Sequence, residues 1–147
     1  DVVINKNDIF FSTPFSTSSY NLSSGYFNWE NKVGSTNTPI VDGNNLFIVS
    51  NNGYFVNLNK QSGEVIWSTD ILKILAEKKR DTYISGFVLG SSKIYALSAN
   101  GYLIICSANT GKAETFKKIG EEITTAPIIS NGTLYILTEK PSIVAFR

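Results

Sequence analysis

The sequence predicts an all-β fold, a partial β-propeller of about four blades. Three observations support this: a strand–turn–strand segment recurs along the chain, a turn of one small residue followed by glycine accompanies it, and two tryptophans follow that glycine at the same distance. A single four-stranded antiparallel sheet leaves both faces uncovered, so copies have to stack face to face to form a core. The repeat therefore decides the fold class.

The first half of each repeat is a short β-branched run, a turn rich in Gly, Asn and Ser, and an apolar strand. Its copies lie at residues 2–11, 39–49, 87–97 and 127–137. The copies align on one apolar position, occupied in turn by Ile9, Leu46, Ile94 and Leu134. Residues 46–49 and 103–106 are apolar without alternation, which is typical of strands covered on both faces.

The second half of each repeat adds a third strand, a turn and a fourth strand. Third strands are predicted at residues 20–22, 54–58, 102–106 and 143–146, and fourth strands at residues 26–29, 64–68 and 112–116. The last blade is therefore expected to lack its outer strand. Gly25, Gly63 and Gly111 occupy the intervening turns, where glycine allows a positive φ.

Trp29 and Trp67 each lie four residues after a turn glycine. They could stack on a planar cofactor, but their recurrence at the blade period favours a structural role between blades. Together with Gly25, Gly63 and Gly111 they are the predicted blade-docking residues. The chain is interpreted as one domain, residues 1–147, with blades at about 1–34, 35–80, 81–122 and 123–147.

The second repeat carries an insertion at residues 70–80 that predicts a short helix. Thr69 or Asp70 can cap its N-terminus, and an apolar face is formed by Ile71, Leu72, Ile74 and Leu75. A basic patch is formed by Lys73, Lys78, Lys79 and Arg80. The patch is a candidate contact for an acidic partner or lipid headgroups, and the alternative is a solvated helix end at the negative pole of the helix dipole.

Composition excludes several classes of function. A net charge of +1 gives no electrostatic reason to expect nucleic acid binding. The chain has no His, which removes the commonest general base. Its one cysteine, Cys106, lies in an apolar strand and is interpreted as buried and structural. The carboxylates are scattered, and the adjacent pair Glu121 and Glu122 is interpreted as solvated. We expect no catalytic, metal or cofactor site.

The turn around Gly63 resembles the tryptophan-docking repeat of propellers of the pyrroloquinoline-quinone type. The resemblance rests on Leu-Asn-Lys-Gln-Ser-Gly at residues 58–63 and on Gly-x-x-x-Trp at residues 63–67. In that repeat a small residue, an Asp and a Thr-Gly precede the tryptophan. The match has departures: the small position holds Ser19, Asn57, Ile105 and Ala145 in turn, the Asp position holds Asn21, Asn59 and Ser107, and Thr115 replaces the tryptophan of the third blade. This resemblance implies the fold class and hardly constrains the chemistry.

The chain as a whole resembles the C-terminal half of the BamB family of outer-membrane β-barrel assembly lipoproteins. The carriers are residues 34–37 leading into 40–44, residues 68–72 after Trp67, Gly-Tyr-Leu at residues 101–103, and the final Val-Ala-Phe-Arg at residues 144–147. The resemblance implies a non-enzymatic scaffold on the periplasmic side of the bacterial outer membrane. It also implies binding to the periplasmic domains of the central barrel-assembly protein and membrane attachment through an N-terminal lipid that precedes this sequence.

Two alternatives to the scaffold remain open. One is a fragment of a quinone-dependent dehydrogenase, which would need calcium-binding carboxylates and a catalytic Asp around a central channel. The other is a generic propeller module that binds a peptide or a sugar. Open blade edges would also allow self-association, because an unpaired strand edge can accept another chain.

Overall fold

The structure is a computed structural model that describes residues 1–50, 52–79, 82–120, 122–140 and 142–147, with the backbone alone described at residues 77–79. The chain divides into two compact units, Asp1–Thr69 and Asp70–Arg147. Four sheets are present in this described part, with strand orders that follow the sequence in each. The all-β repeat fold predicted from the sequence is confirmed.

The first unit holds two four-stranded sheets. The strands of the first sheet are β1 (Val2–Asn5), β2 (Asp8–Ser12), β3 (Thr17–Asn21) and β4 (Phe27–Asn31). The strands of the second sheet are β5 (Ile40–Asp42), β6 (Asn45–Val49), β7 (Tyr54–Asn59) and β8 (Val65–Asp70). A core forms between the two sheets from Phe10, Trp29, Leu46, Ile48, Val56 and Leu58.

The second unit holds a four-stranded and a three-stranded sheet. The strands of the first are β9 (Ile84–Gly90), β10 (Lys93–Ser98), β11 (Tyr102–Ser107) and β12 (Ala113–Lys118). The strands of the second are β13 (Ile128–Ser130), β14 (Thr133–Thr138) and β15 (Ser142–Phe146). Its core is formed by Leu97, Leu103, Ile123, Leu134 and Ile136.

Strand registers show that the four sheets are copies of one unit. The aligned apolar position pairs with the residue that follows the small position of the third strand in every sheet. These pairs are Ile9 with Tyr20, Leu46 with Leu58, Ile94 with Cys106, and Leu134 with Phe146. A register shift occurs at the same repeat position in two sheets, after Ser19 and after Ile105. The sequence alignment of the repeats is confirmed by backbone pairing.

Strand β3 begins three residues earlier than the sequence predicted, at Thr17 instead of Tyr20. The hydroxyl residues in that stretch made it look like a loop in the sequence. In the structure two of them are buried, because hydrogen bonds satisfy their polar atoms. Thr17 is fully buried and its Oγ1 donates to the Val33 carbonyl (2.8 Å). Ser19 is also buried, and its Oγ accepts a hydrogen bond from Asn28 (3.1 Å). Satisfied hydroxyls can occupy a core position that sequence hydropathy assigns to a loop.

The insertion after β8 forms a 3₁₀ helix, Leu72–Lys79, interrupted by a positive φ of 49° at Ala76. Asp70 caps its first turn, with Oδ1 accepting the Lys73 amide at 3.1 Å. Ile71 and Leu75 are buried, at 0% and 1% exposure. The helix therefore packs its apolar side inward and contacts β12. No helix among the described residues has the length and apolar character needed to cross a membrane.

Candidate functional site

The turn between the third and fourth strands has the same construction in both sheets of the first unit. In the second sheet, Asn59 Oδ1 accepts the amides of Gln61 (2.9 Å) and Ser62 (3.1 Å), and Gly63 follows at φ +72°. In the first sheet, Asn21 and Gly25 are the equivalents, with Gly25 at φ +71°. The asparagine takes the place of the Asp of the related repeat, since its Oδ1 supplies the same acceptor.

Trp29 occupies the turn of the neighbouring sheet. Its Nε1 donates to the Lys60 carbonyl (3.0 Å), and its ring lies so close to Gly63 that a Cβ there would stand 2.4 Å from ring carbons. Two residues on, Asn31 Nδ2 donates to the Gly63 carbonyl (2.8 Å). Trp29 also contacts Phe10, at a ring distance of 6.0 Å. We propose that this three-point contact docks the first blade on the second.

Trp67 packs on aromatic residues of its own sheet. Its ring lies 4.7 Å from Phe55 in an edge-to-face arrangement and 6.1 Å from Phe47. Its buried Nε1 has no hydrogen-bond partner among the described residues, and the same is true of Asn57 Oδ1. Gly111, in the turn after β11, shares the positive φ of the other turn glycines, at +70°. The docking role of Trp67 and Gly111 stays a prediction.

Gly25 differs from Gly63 in its surroundings. No atom lies within 4 Å of the position that a Cβ on Gly25 would take. Beside it, an open depression of about 520 Å³ is lined by residues that include Ile9, Phe11, Tyr20 and Leu22. The first sheet therefore carries the same turn as the second, and within Asp1–Thr69 that turn is uncovered.

An exposed turn connects β2 and β3, and the repeat pattern of the sequence did not predict it. Phe15 is 83% exposed there, more than any other large hydrophobic side chain in the described residues. Thr13 Oγ1 accepts the amides of Phe15 (3.2 Å) and Ser16 (3.0 Å). The signal available in the sequence was Thr-Pro-Phe-Ser, where a hydroxyl residue followed by proline is typical of turn initiation.

The predicted basic patch is described only in part. Lys73 is exposed. The side chains of Lys78 and Lys79, together with Arg80, lie outside the described residues. The role of these four residues as a partner contact stays a prediction.

Cys106 is fully buried in β11, paired with Ile94 of β10. Removal from water raises the pKa of its thiol to about 12, and the charge of Glu114 adds to the effect. Burial disfavours the thiolate, which is the reactive form of cysteine. The side chain is a structural part of the sheet.

Two carboxylates that the sequence separates by many residues meet in the second unit. Glu139 and Glu122 share a side-chain hydrogen bond, which raises the pKa of Glu139, with repulsion between the two charges as a further cause. The backbone joins them as well, since the Glu139 amide donates to the Glu122 carbonyl (3.2 Å). Glu121, the other member of the adjacent pair, lies outside the described residues. Within the described part of the chain, no group of three or more His, Cys, Asp or Glu side chains is placed to hold a metal ion.

The chain has the features of β-propeller blades, namely repeated antiparallel sheets, glycine turns and a tryptophan that contacts the next turn. A family model described as outer membrane protein assembly factor BamB matches residues 1–69. Over these residues the chain is similar to that family, which agrees with the resemblance found in its sequence.

One curated relative and one solved structure extend the comparison. The outer membrane protein assembly factor BamB of Legionella pneumophila (strain Paris) is 26% identical over 117 residues, covering 80% of this chain and 29% of that protein. The crystal structure of BamB from Moraxella catarrhalis superposes with a TM-score of 0.82 at 14% identity, covering 98% of this chain and 41% of that one. This chain thus spans under a third of the curated relative's length.

The quinone-dependent enzymes share the fold with less coverage. Quinohemoprotein alcohol dehydrogenase from Comamonas testosteroni superposes with a TM-score of 0.64 at 13% identity, over 79% of this chain and 20% of that enzyme. A likeness at this identity concerns the fold alone.

Proposed function

We propose that this chain forms propeller blades of a non-enzymatic scaffold that assists the assembly and insertion of β-barrel proteins into the bacterial outer membrane. The observation that carries the proposal is the match to a relative named outer membrane protein assembly factor, which extends over 80% of this chain. We place the scaffold on the periplasmic side of that membrane. Its partner in this proposal is the periplasmic region of the central barrel-assembly protein.

The architecture supports a role in presenting loops to partners. Adjacent sheets in the first unit are joined by a buried aromatic core and by hydrogen bonds between side chains and backbone. Such packing limits movement of the connecting turns, and rigid turns lose less entropy when a partner binds. The sheets act as a support, and recognition falls to the turns that connect them.

Binding to the proposed partner is the direct test. The purified 147-residue chain should bind the immobilised periplasmic domains of the central barrel-assembly protein in biolayer interferometry, and a propeller protein from an unrelated pathway should not. Equal, weak signals from both proteins would reject the scaffold role.

A quinone-dependent dehydrogenase is the second candidate, favoured only by the shared fold. Adding pyrroloquinoline quinone with calcium and an electron-accepting dye tests it. Alcohol-dependent dye reduction would favour the enzyme, and we expect none.

A further inference from the structure

The turn at residues 13–16, which we call the Phe15 turn, presents the most exposed large hydrophobic side chain of the described residues. Isolated apolar side chains are common on protein surfaces, so 83% exposure has little meaning alone. This phenylalanine differs because hydrogen bonds and close packing fix the turn that carries it.

Hydrogen bonds fix the Phe15 turn from within. The Thr13 amide donates to the Ser16 carbonyl (2.9 Å), and Thr13 Oγ1 donates to the same carbonyl (3.1 Å) while accepting the Phe15 and Ser16 amides. Pro14 adds a fixed φ at the position before Phe15. The backbone of an exposed turn is thus ordered without help from the Phe15 side chain.

The linker between β4 and β5 supports the turn from outside. Gly34 packs so closely on Pro14 that a Cβ would stand 2.3 Å from the Pro14 carbonyl carbon and oxygen. The Ser35 amide donates to the Thr13 carbonyl (2.7 Å), and Ser12 Oγ donates to the Ser35 carbonyl (3.3 Å). Ser35 is itself fully buried, with Oγ donating to the Val49 carbonyl (2.6 Å). The turn is therefore fastened to both sheets of the unit.

The repeat does not require this turn. The equivalent connection in the second sheet is Ser-Asn-Asn-Gly at residues 50–53, and in the third it is Ala-Asn-Gly at residues 99–101. Those connections are polar, as is Glu-Lys-Pro at residues 139–141 in the fourth, so the aromatic residue is particular to the first sheet. The presence of Phe15 calls for an explanation beyond the fold.

We propose that the Phe15 turn is an anchor that inserts the Phe15 ring into an apolar pocket of a protein partner. Aromatic side chains held in advance of binding are the usual centres of binding energy, because they bury large area with little loss of entropy. Residues 13–17 carry no charge, and their hydroxyl groups suit the polar rim of a protein pocket. A membrane-binding turn would place an unpaired Lys or Arg beside the aromatic ring, whereas Lys32, which follows the Asn31 that pairs with Thr17, is itself paired with Glu30.

The test rests on the proposed function, since it uses the periplasmic domains of the central barrel-assembly protein as the probe. We expect Phe15→Ala to bind about tenfold or more weakly than the unmodified chain in biolayer interferometry. The matched control is Tyr26→Ala, because Tyr26 is 76% exposed at the opposite end of β3 and should leave binding unchanged. Phe15→Ala removes an exposed side chain, so its thermal unfolding midpoint should equal that of the unmodified chain.

A second variant tests the supporting backbone with the phenylalanine kept. Gly34→Ala forces the turn to shift and should weaken binding while circular dichroism of the sheets is retained. If the unmodified chain and Phe15→Ala bind equally, the anchor is rejected and the scaffold role stands. If the unmodified chain does not bind at all, the scaffold role fails and the anchor falls with it. Phe15-dependent binding to vesicles of phosphatidylethanolamine and phosphatidylglycerol, without binding to the protein probe, would overturn the anchor in favour of a membrane contact.

Discussion

The Trp29 ring lies directly over the backbone of Gly63, with the nearest ring carbons 2.4 Å from where a Cβ would project. Glycine at this position serves two purposes, because φ is +72° and because the neighbouring sheet approaches within contact distance of the main chain. Gly25 has nearly the same φ and an empty space in place of the ring. A side chain at position 25 would thus meet backbone strain alone, whereas a side chain at position 63 would meet both backbone strain and the Trp29 ring.

Paired substitutions measure these two effects. Gly25→Ala should lose about 1–2 kcal/mol of unfolding free energy, because a residue with a Cβ is forced into the left-handed region. Gly63→Ala should lose that amount and should also disturb the contact with Trp29. Its loss of unfolding free energy should therefore exceed that of Gly25→Ala by at least about 1 kcal/mol. Urea unfolding followed by far-ultraviolet circular dichroism gives both values. Equal losses would show that Trp29 moves aside without penalty.

Removing the ring tests the same contact from the other sheet. Trp29→Ala should destabilise the chain by about 3–5 kcal/mol, because a buried aromatic side chain is lost and a cavity remains. Trp29→Phe should lose less, since it keeps apolar area and forfeits the hydrogen bond to the Lys60 carbonyl. Tyr26→Ala is the control, with an expected change within about 0.5 kcal/mol for an exposed side chain. A Trp29→Ala variant as stable as this control would refute the docking role.

The sequence predicted the features that recur and missed those that depend on contacts between distant segments. Ile9 and Leu46 could be aligned because the same pattern of turns and β-branched residues surrounds each. The Phe15 turn could not be found in this way, because its order comes from Gly34 and Ser35 in another segment. The Glu122 and Glu139 pair was missed for the same reason.

The predicted helix illustrates a partial success. Its cap at Asp70 and its buried Ile71 and Leu75 follow from local sequence, and the structure has both. Its 3₁₀ geometry and the positive φ at Ala76 do not follow from periodicity, since apolar residues three and four apart fit either kind of helix.

Cys106 gives a prediction for reactivity and for stability against pH. The pKa of its thiol is raised to about 12 in the folded chain, so the unfolded chain ionises first as pH rises. The contribution of this group to stability is therefore complete below the ordinary thiol pKa and is lost as pH rises from about 9 towards 12. A thiol reagent at pH 8 should modify Cys106 slowly in buffer and rapidly in urea. A Cys106→Ala variant should lack this pH-dependent loss, and rapid modification without denaturant would contradict burial.

The carboxylate pair gives a prediction of the same sign at lower pH. Because the hydrogen bond with Glu122 raises the pKa of Glu139, the folded chain holds a proton that the unfolded chain releases. The pair therefore favours folding below the ordinary carboxyl pKa, and this contribution disappears as pH rises through the raised value. Glu139→Gln keeps a hydrogen-bond donor at neutral pH and removes the charge repulsion between residues 122 and 139. The melting temperature of the unmodified chain should therefore fall between pH 4 and pH 7 by more than that of Glu139→Gln. Carbon-detected NMR titration of the Glu139 carboxyl gives its pKa directly, and an ordinary value there would show that the two groups act independently.

Ser35 joins the two sheets of the first unit through both its backbone and its side chain. Its amide donates to the Thr13 carbonyl in the first sheet's turn, and its Oγ donates to the Val49 carbonyl at the end of β6. Ser35→Ala leaves the backbone bond intact and deprives the Val49 carbonyl of its hydroxyl donor, which should cost about 1–3 kcal/mol because Ser35 is fully buried. Ser16→Ala, which removes a half-buried hydroxyl in the same region, is the matched control. The hydroxyl holds the linker against a sheet that is already formed. In Ser35→Ala, the backbone amide of residue 35 should therefore exchange its hydrogen faster, while amides in the core of β6 should exchange at the same rate as before. Unchanged exchange at Ser35 would show that the linker is held by its backbone alone.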